Sequence, residues 1–303
     1  MKKKIGLVNL EPKYTNIALE KIRMYYRIKG HEVEDYLALL SEEYDKIFVS
    51  SIFTFTDKSI YWDPKKARIG GSGYDLTTNL PEEIDKMKPK INIGFTMRGC
   101  IRKCPWCVVP KKEGKARPTG DIYDFWDGKA NHIIILDNNI LALPEHFKKI
   151  CAQLREAKVS SDWNQGLDIR LLTDDSIKEL KSIRHKDSFK FAWDGPEDWT
   201  GKFEKLNNAI GSCIVLVMVG HSATTFAWSL KKIHILKDML HRPFVMKYEQ
   251  ARQDIRYITL SQWTNGREIF FTNTWEEFLL SRDRLRESRE WHDESKNWQI
   301  SKA

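Results

Sequence analysis

Ile91-Asn92-Ile93-Gly94-Phe95-Thr96-Met97-Arg98-Gly99-Cys100-Ile101-Arg102-Lys103-Cys104-Pro105-Trp106-Cys107 is the stretch on which the reading of this chain turns. The apolar run at its start predicts a strand over 91–96, which puts the cysteines on a loop at that strand's C-terminal end. Three thiolates spaced C-x3-C-x2-C can hold three irons of a [4Fe–4S] cube and leave the fourth open to a small molecule. A zinc site is the competing reading. Zinc takes four nitrogen or sulfur ligands, usually as two separated pairs. Of the other cysteines, Cys151 falls in a helical pattern and Cys213 opens an apolar run, so neither looks like a fourth ligand. A histidine could supply one. The cluster is the preferred reading.

Downstream, apolar runs predict strands over 132–136, 189–193, 213–219 and 244–246, with a weaker one over 159–164. Helical spacing over 144–156, 175–183 and 223–240 separates several of them. Six βα-type units in a row predict a partial (β/α)6 TIM-like barrel over 89–250, whose catalytic face carries the loops at the strands' C-terminal ends.

Upstream, residues 5–9, 31–34 and 46–50 read as strands and 15–29 as a helix that stops at Gly30. A glycine-rich turn, Gly70-Gly71-Ser72-Gly73, follows a late strand near 68, and Pro81-Glu82-Glu83-Ile84 opens another helix. This alternation predicts a small Rossmann-like domain over 1–88. The fold class is therefore α/β, with a short helical C-terminal extension over 251–303. That extension is rich in charge and carries Trp263, Trp275, Trp291 and Trp298. An amphipathic helix is expected over 276–289.

A hydrophobic share of 41% and an aromatic share of 12% indicate a buried core. No run approaches membrane-spanning length. The basic opening Met1-Lys2-Lys3-Lys4 leads to an apolar stretch too short for a signal peptide, broken at Glu11-Pro12. A cytoplasmic protein with no membrane partner is expected. The formal net charge of +8 favours anionic partners, or serves only to keep the protein soluble.

The cysteine loop resembles that of the radical S-adenosylmethionine (SAM) superfamily, in which an aromatic residue, here Trp106, precedes the third cysteine. The resemblance covers about 90–250. It implies that Cys100, Cys104 and Cys107 hold a [4Fe–4S] cluster whose open iron is chelated by SAM. Reductive cleavage would then give a 5′-deoxyadenosyl radical that abstracts hydrogen from a substrate. It also implies an electron donor such as flavodoxin or ferredoxin.

Several strand ends match this superfamily's SAM contacts. Asp137 and Asn138 stand where a Gly-Gly-Glu motif is common, and can equally form an ordinary Asx-rich turn. Asp168 and Arg170 suit the ribose and carboxylate of SAM, or pair with each other. Asp194 suits ribose hydroxyls, or caps a turn. Gly220 resembles an adenine-contact glycine, with His221 beside it as a proton donor or a structural residue. The loop Lys111-Lys112-Glu113-Gly114-Lys115-Ala116-Arg117 suits a phosphate-bearing substrate, or is simply solvated.

The N-terminal domain resembles the cobalamin-binding domain that precedes many such barrels. The ligating pattern D-x-H-x-x-G is absent, so cobalamin is not expected. The resemblance assigns no substrate; the basic balance and the Trp-rich tail favour nucleic acid or a nucleotide, and exposed tryptophans in the tail could stack on bases or instead pack against the fold. A peptide or small metabolite is the alternative substrate. A non-catalytic zinc-containing nucleic-acid-binding protein is the alternative of another class.

Overall fold

A computed structural model describes residues 1–281 of the 303. The fold is mixed α/β with parallel sheets. The chain forms two compact units. One is built from Met1–Lys103 and Cys107–Leu136, the other from Cys104–Trp106 and the chain from Asp137 onward.

The first unit opens with strand β1 (Lys4–Asn9), helix α1 (Ile17–Ile28), and strands β2 (Glu32–Asp35), β3 (Lys46–Ser50) and β4 (Ala67–Gly70). These form a sheet in the order β2-β1-β3-β4, parallel throughout. Period-two alternation along β1 explains its two cores. Ile5 and Leu7 pack with Leu19, Ile22 and Val33 on one face, while Val8 joins Tyr44, Ile47 and Val49 on the other. Helix α1 is capped by Asn16, whose side chain accepts from the Leu19 amide, and ends at Lys29-Gly30. Helix α2 (Glu82–Asp85) follows Pro81.

The next elements are β5 (Ile93–Gly94), β6 (Met97–Arg98), helix α3 (Val109–Lys112), β7 (Arg117–Pro118) and β8 (His132–Ile135). The strand expected over 91–96 does not form in one piece. Asn92 takes a left-handed backbone (φ 62°). Its side chain donates to Asp127 Oδ2 at 3.0 Å and accepts from the Asp127 amide at 3.0 Å, which fixes that bend. Only β5 then pairs with β8, in parallel, and the chain re-pairs as β6 antiparallel to β7. The cysteine loop therefore spans an antiparallel pair rather than a simple strand-to-helix turn.

In the second unit come α4 (Pro144–Ala157), β9 (Ser160–Trp163), β10 (Leu167–Asp168), α5 (Asp174–Ser182), β11 (Lys190–Ala192), α6 (Thr200–Ile210), β12 (Ile214–Val219), α7 (Phe226–Asp238) and β13 (Arg242–Lys247). Strands β10-β11-β12-β13 form one parallel sheet in which each lies beside its sequence neighbour. Val215, Val217 and Val219 are fully buried, whereas Ile214, Leu216 and Met218 on the opposite face are only half-buried. Helix α4 buries Phe147, Ile150, Cys151 and Leu154, the stripe that spacing of three and four residues dictates.

Helices α8 (Ile255–Asn265), α9 (Arg267–Thr272) and α10 (Trp275–Ser281) close the described chain. The Asn265 amide accepts from the Val245 N–H at 2.7 Å and donates to its carbonyl at 3.1 Å, so it covers the edge of β13. Trp263 and Trp275 are fully buried, Trp263 packing on Phe270 at 5.0 Å and on Trp275 at 5.3 Å, so they serve the core and are not exposed stacking surfaces. Trp291, Trp298 and most of the helix expected over 276–289 lie outside the described residues. No described helix is long and apolar enough to cross a membrane.

Candidate functional site

The cysteine loop is tied at its base. Arg98 pairs with Glu113 at 2.6 Å, and the Cys100 amide donates to the Gly114 carbonyl at 3.1 Å. Between them, Gly99 has φ 81°, and any Cβ there would run into the Lys115 carbonyl, so this position admits only glycine. The Arg102 amide lies 3.4 Å from Cys100 Sγ. Past Cys107 the chain enters α3, and Arg117 donates to the Glu113 carbonyl at 2.6 Å. Cys100, Cys104 and Cys107 are half-exposed thiols outside any disulfide.

Among the described residues, no three His, Cys, Asp or Glu side chains converge tightly enough to hold a metal ion. The loop supplies three soft donors from eight residues, and that donor set fits three corners of an iron–sulfur cube.

The tripeptide Cys104-Pro105-Trp106 packs with the strand ends of the second unit. The Arg170 guanidinium lies beside Cys104. Arg170 in turn grips Asp168 through two parallel bonds of 2.6 and 3.0 Å, and Asn139 donates to the same carboxylate at 3.2 Å. Burial works against the guanidinium charge, but Asp168 outweighs it and holds the pKa of Arg170 above its ordinary value. Of the two readings of Asp168 and Arg170, the mutual ion pair is thus present in the fold, with a cysteine on its far side that spacing did not suggest. Lys202 braces the pair by donating to the Arg170 carbonyl at 2.6 Å.

Trp106 stacks on His221, centroid to centroid 4.0 Å at 25°. His221 Nε2 donates to the Asp194 carbonyl at 3.0 Å, while Nδ1 accepts from the Ala223 amide at 3.3 Å. That pattern assigns a neutral imidazole, and burial pushes its pKa down in agreement. His221 therefore orients Trp106, the structural alternative at this position. Asp194 uses its carboxylate to accept from the Met218 amide at 2.9 Å, and burial raises its pKa.

Beneath Asp194 lies Lys232, fully buried on α7. Its ammonium donates to the carbonyls of Trp193 (3.0 Å) and Gly195 (3.3 Å), and burial pushes its pKa down to about 8. No motif marks Lys232. The available signal was periodic: it stands three residues after Ser229 and four before Leu236, both buried on the same helix.

Asp137 is buried and Asn138 half-buried, and the amide that reaches Asp168 belongs to Asn139 instead. Gly220 has φ 78°, and a Cβ there would strike Ala251 of the turn Glu249–Ala251. Its nearest demand is thus the close packing of that turn.

At the C-terminal edge of the first sheet, the Glu11 carboxylate accepts from Ser51 Oγ (2.8 Å), Thr56 Oγ1 (2.5 Å) and the amides of Ile52 (3.0 Å) and Phe53 (3.2 Å). Side chains at Gly71 or Gly73 would run into the loop at Ser51–Phe53, so the glycines serve loop packing. His31, which accepts from the Lys3 amide at 3.2 Å, stands before β2 at the opposite edge of this parallel sheet. No model of a known protein family matches the chain, and no curated protein is significantly similar to it.

Proposed function

We propose that the chain is a radical SAM enzyme that holds a [4Fe–4S] cluster through Cys100, Cys104 and Cys107. The observation that carries this reading is the cysteine loop itself: three half-exposed thiols within eight residues, with its base tied by Arg98–Glu113 and its aromatic Trp106 seated on His221. When bound, such a cluster supplies one electron to SAM at an iron that no protein ligand occupies. The protein's own residues have simpler tasks. Arg170 holds positive charge beside Cys104. Asp168 keeps Arg170 in place, and His221 sets the plane of Trp106.

The same reading takes the sheet β10-β11-β12-β13, with helices between successive strands, as part of a (β/α)6 barrel, because one-way winding is what a barrel requires. A low-potential carrier of the flavodoxin or ferredoxin kind would deliver the electron, and a reducing cytoplasm would keep the thiols competent.

Anaerobic purification and reconstitution test this. We expect about four irons with matching sulfide per chain, and 5′-deoxyadenosine released from SAM under dithionite. Cys104→Ala should abolish both. One tightly held zinc with no SAM cleavage would overturn the reading in favour of a binding protein.

A further inference from the structure

Charge on this chain is concentrated. Residues 86–117, which lead into and out of the cysteine loop, carry ten lysines and arginines against the single acid Glu113. That excess alone covers the net +8, and the rest of the chain nearly cancels.

The same segment borders a cavity of about 510 Å³ inside the first unit. Lys86, Lys88, Arg98 and Arg117 line it with Phe95 and Phe125, and the acids Glu82, Asp85 and Asp124 on its wall are each paired with a lysine. Arg98 lies over the Phe95 ring, 4.0 Å from its centroid, which sets a cation directly against an aromatic ring. Lys86 and Lys88 pair with Glu82 and Asp124, but their side chains remain 71% and 59% exposed. Such exposed pairs contribute little and exchange readily for a stronger anion. Arg117 is held in place by donating to the carbonyls of Glu113 and Lys115.

We propose that this groove binds a single strand of nucleic acid, with its phosphates on Lys86, Lys88 and Arg117 and a base stacked on the Arg98–Phe95 surface. Lysines and arginines answer phosphodiesters by charge, and an arginine lying on an aromatic ring offers a platform to any unstacked base. A duplex keeps its bases stacked and cannot use that platform. Two strands of the groove's wall, β6 and β7, also carry the cysteine loop, with Arg98 two residues from Cys100. The bound strand is therefore the substrate of the proposed enzyme. That last step rests on the radical SAM reading, whereas binding does not.

The test is fluorescence anisotropy on the full chain with labelled RNA and DNA single strands of about 12 nucleotides, at about 50 mM salt and above. It is run on the protein before and after cluster reconstitution. Failure of the cluster assay would thus not be mistaken for failure of binding.

We expect saturable binding of at least one of the two strands. The triple variant Lys86→Gln, Lys88→Gln, Arg117→Gln should weaken it roughly 10- to 100-fold and reduce the salt slope by about two. A control triple, Lys13→Gln, Lys65→Gln, Lys181→Gln, removes the same charge from exposed sites elsewhere and should change affinity by less than about threefold. Thermal melts of both triples check folding. Three results would overturn the proposal: no saturable binding, equal weakening in the control, or a duplex of the same sequence bound as tightly as the single strand.

Discussion

At the C-terminal edge of the first parallel sheet, Glu11 turns back into the loop after β3 and takes up two hydroxyls and two backbone amides. At the corresponding edge of the second sheet, Arg170 reaches past Asp168 to Cys104, and His221 presents its ring to Trp106. Both edges are where parallel folds commonly place ligands. One is closed by the protein's own carboxylate, in a nest of donors of the kind that elsewhere holds a phosphate. The other holds two residues of the cysteine loop. Strand ends mark where a site can be. Whether the donors there already serve the fold decides whether a site exists.

The largest effect should come from the support under the second edge. Lys232→Met would leave the carbonyls of Trp193 and Gly195 buried without their donor, and Asp194 without its nearest positive charge. A loss of about 2–4 kcal/mol in unfolding free energy is expected from denaturant titration. The pH dependence sharpens this. The unfolded lysine titrates near 10.5 and the buried one at about 8. Between those values the unfolded chain binds more protons, so raising the pH across that window stabilises the native protein through this residue. Wild type should gain on Lys232→Met as pH rises from about 8 to 10.5. A constant gap would mean that Lys232 is not buried as a cation.

Glu11 should matter less, since three of its four donors, at Ile52, Phe53 and Thr56, are only half-buried. Glu11→Ala removes one acceptor from four donors, at a cost of about 2 kcal/mol, and Glu11→Gln should cost about half of that. Burial pushes the Glu11 pKa up, but hydrogen bonds from Thr56, Ile52, Ser51 and Phe53 outweigh it and leave the pKa lowered. The sign follows: this stabilisation is full above the unfolded value near 4.5 and is lost as pH falls through the lower folded value. Wild type should therefore lose its advantage over Glu11→Ala below that range in acid titrations followed by circular dichroism. If the alanine variant is as stable as wild type and binds phosphate no better, the edge is not a nest held shut by Glu11.

Much of this was legible from period and composition. The first sheet's β3 falls on the residues that its apolar run marked, and the helix over 144–156 was visible in its stripe. The strand over 91–96 was misread because hydropathy cannot see a backbone angle. Asn92 takes a left-handed turn that the Asp127 contact fixes from 35 residues away. The second-sheet strand β10 is only two residues long, too short to leave a pattern. Among site residues, Cys104, Trp106, Asp168, Arg170 and His221 announced themselves by type and position, but their pairings did not. Arg170 reaches Cys104 and Trp106 meets His221 from across the fold, Asn139 and Lys232 join from other elements, and long-range pairing leaves no local signature. Glu11 is the same case in reverse: an ordinary acid by sequence, made the keystone of a loop only by folding.

The smallest effect, and the one that bears most directly on the cysteine loop, concerns His221. The imidazole does two things: it donates to the Asp194 carbonyl and it stacks on Trp106. His221→Phe keeps the ring and loses the hydrogen bond, which should lower stability by about 1 kcal/mol. His221→Ala loses both, and Trp106 then has no surface to fix its plane. Because Trp106 stands between Cys104 and Cys107, its release should loosen the loop and speed alkylation of Cys104 by several-fold in the alanine variant. The phenylalanine variant should alkylate at close to the wild-type rate. Mass spectrometry of iodoacetamide-labelled peptides reads the difference. Equal rates in all three would mean that the loop is held by its base at Gly99 and Arg98 alone. The second edge would then resemble the first, a place where the fold consumes its own donors.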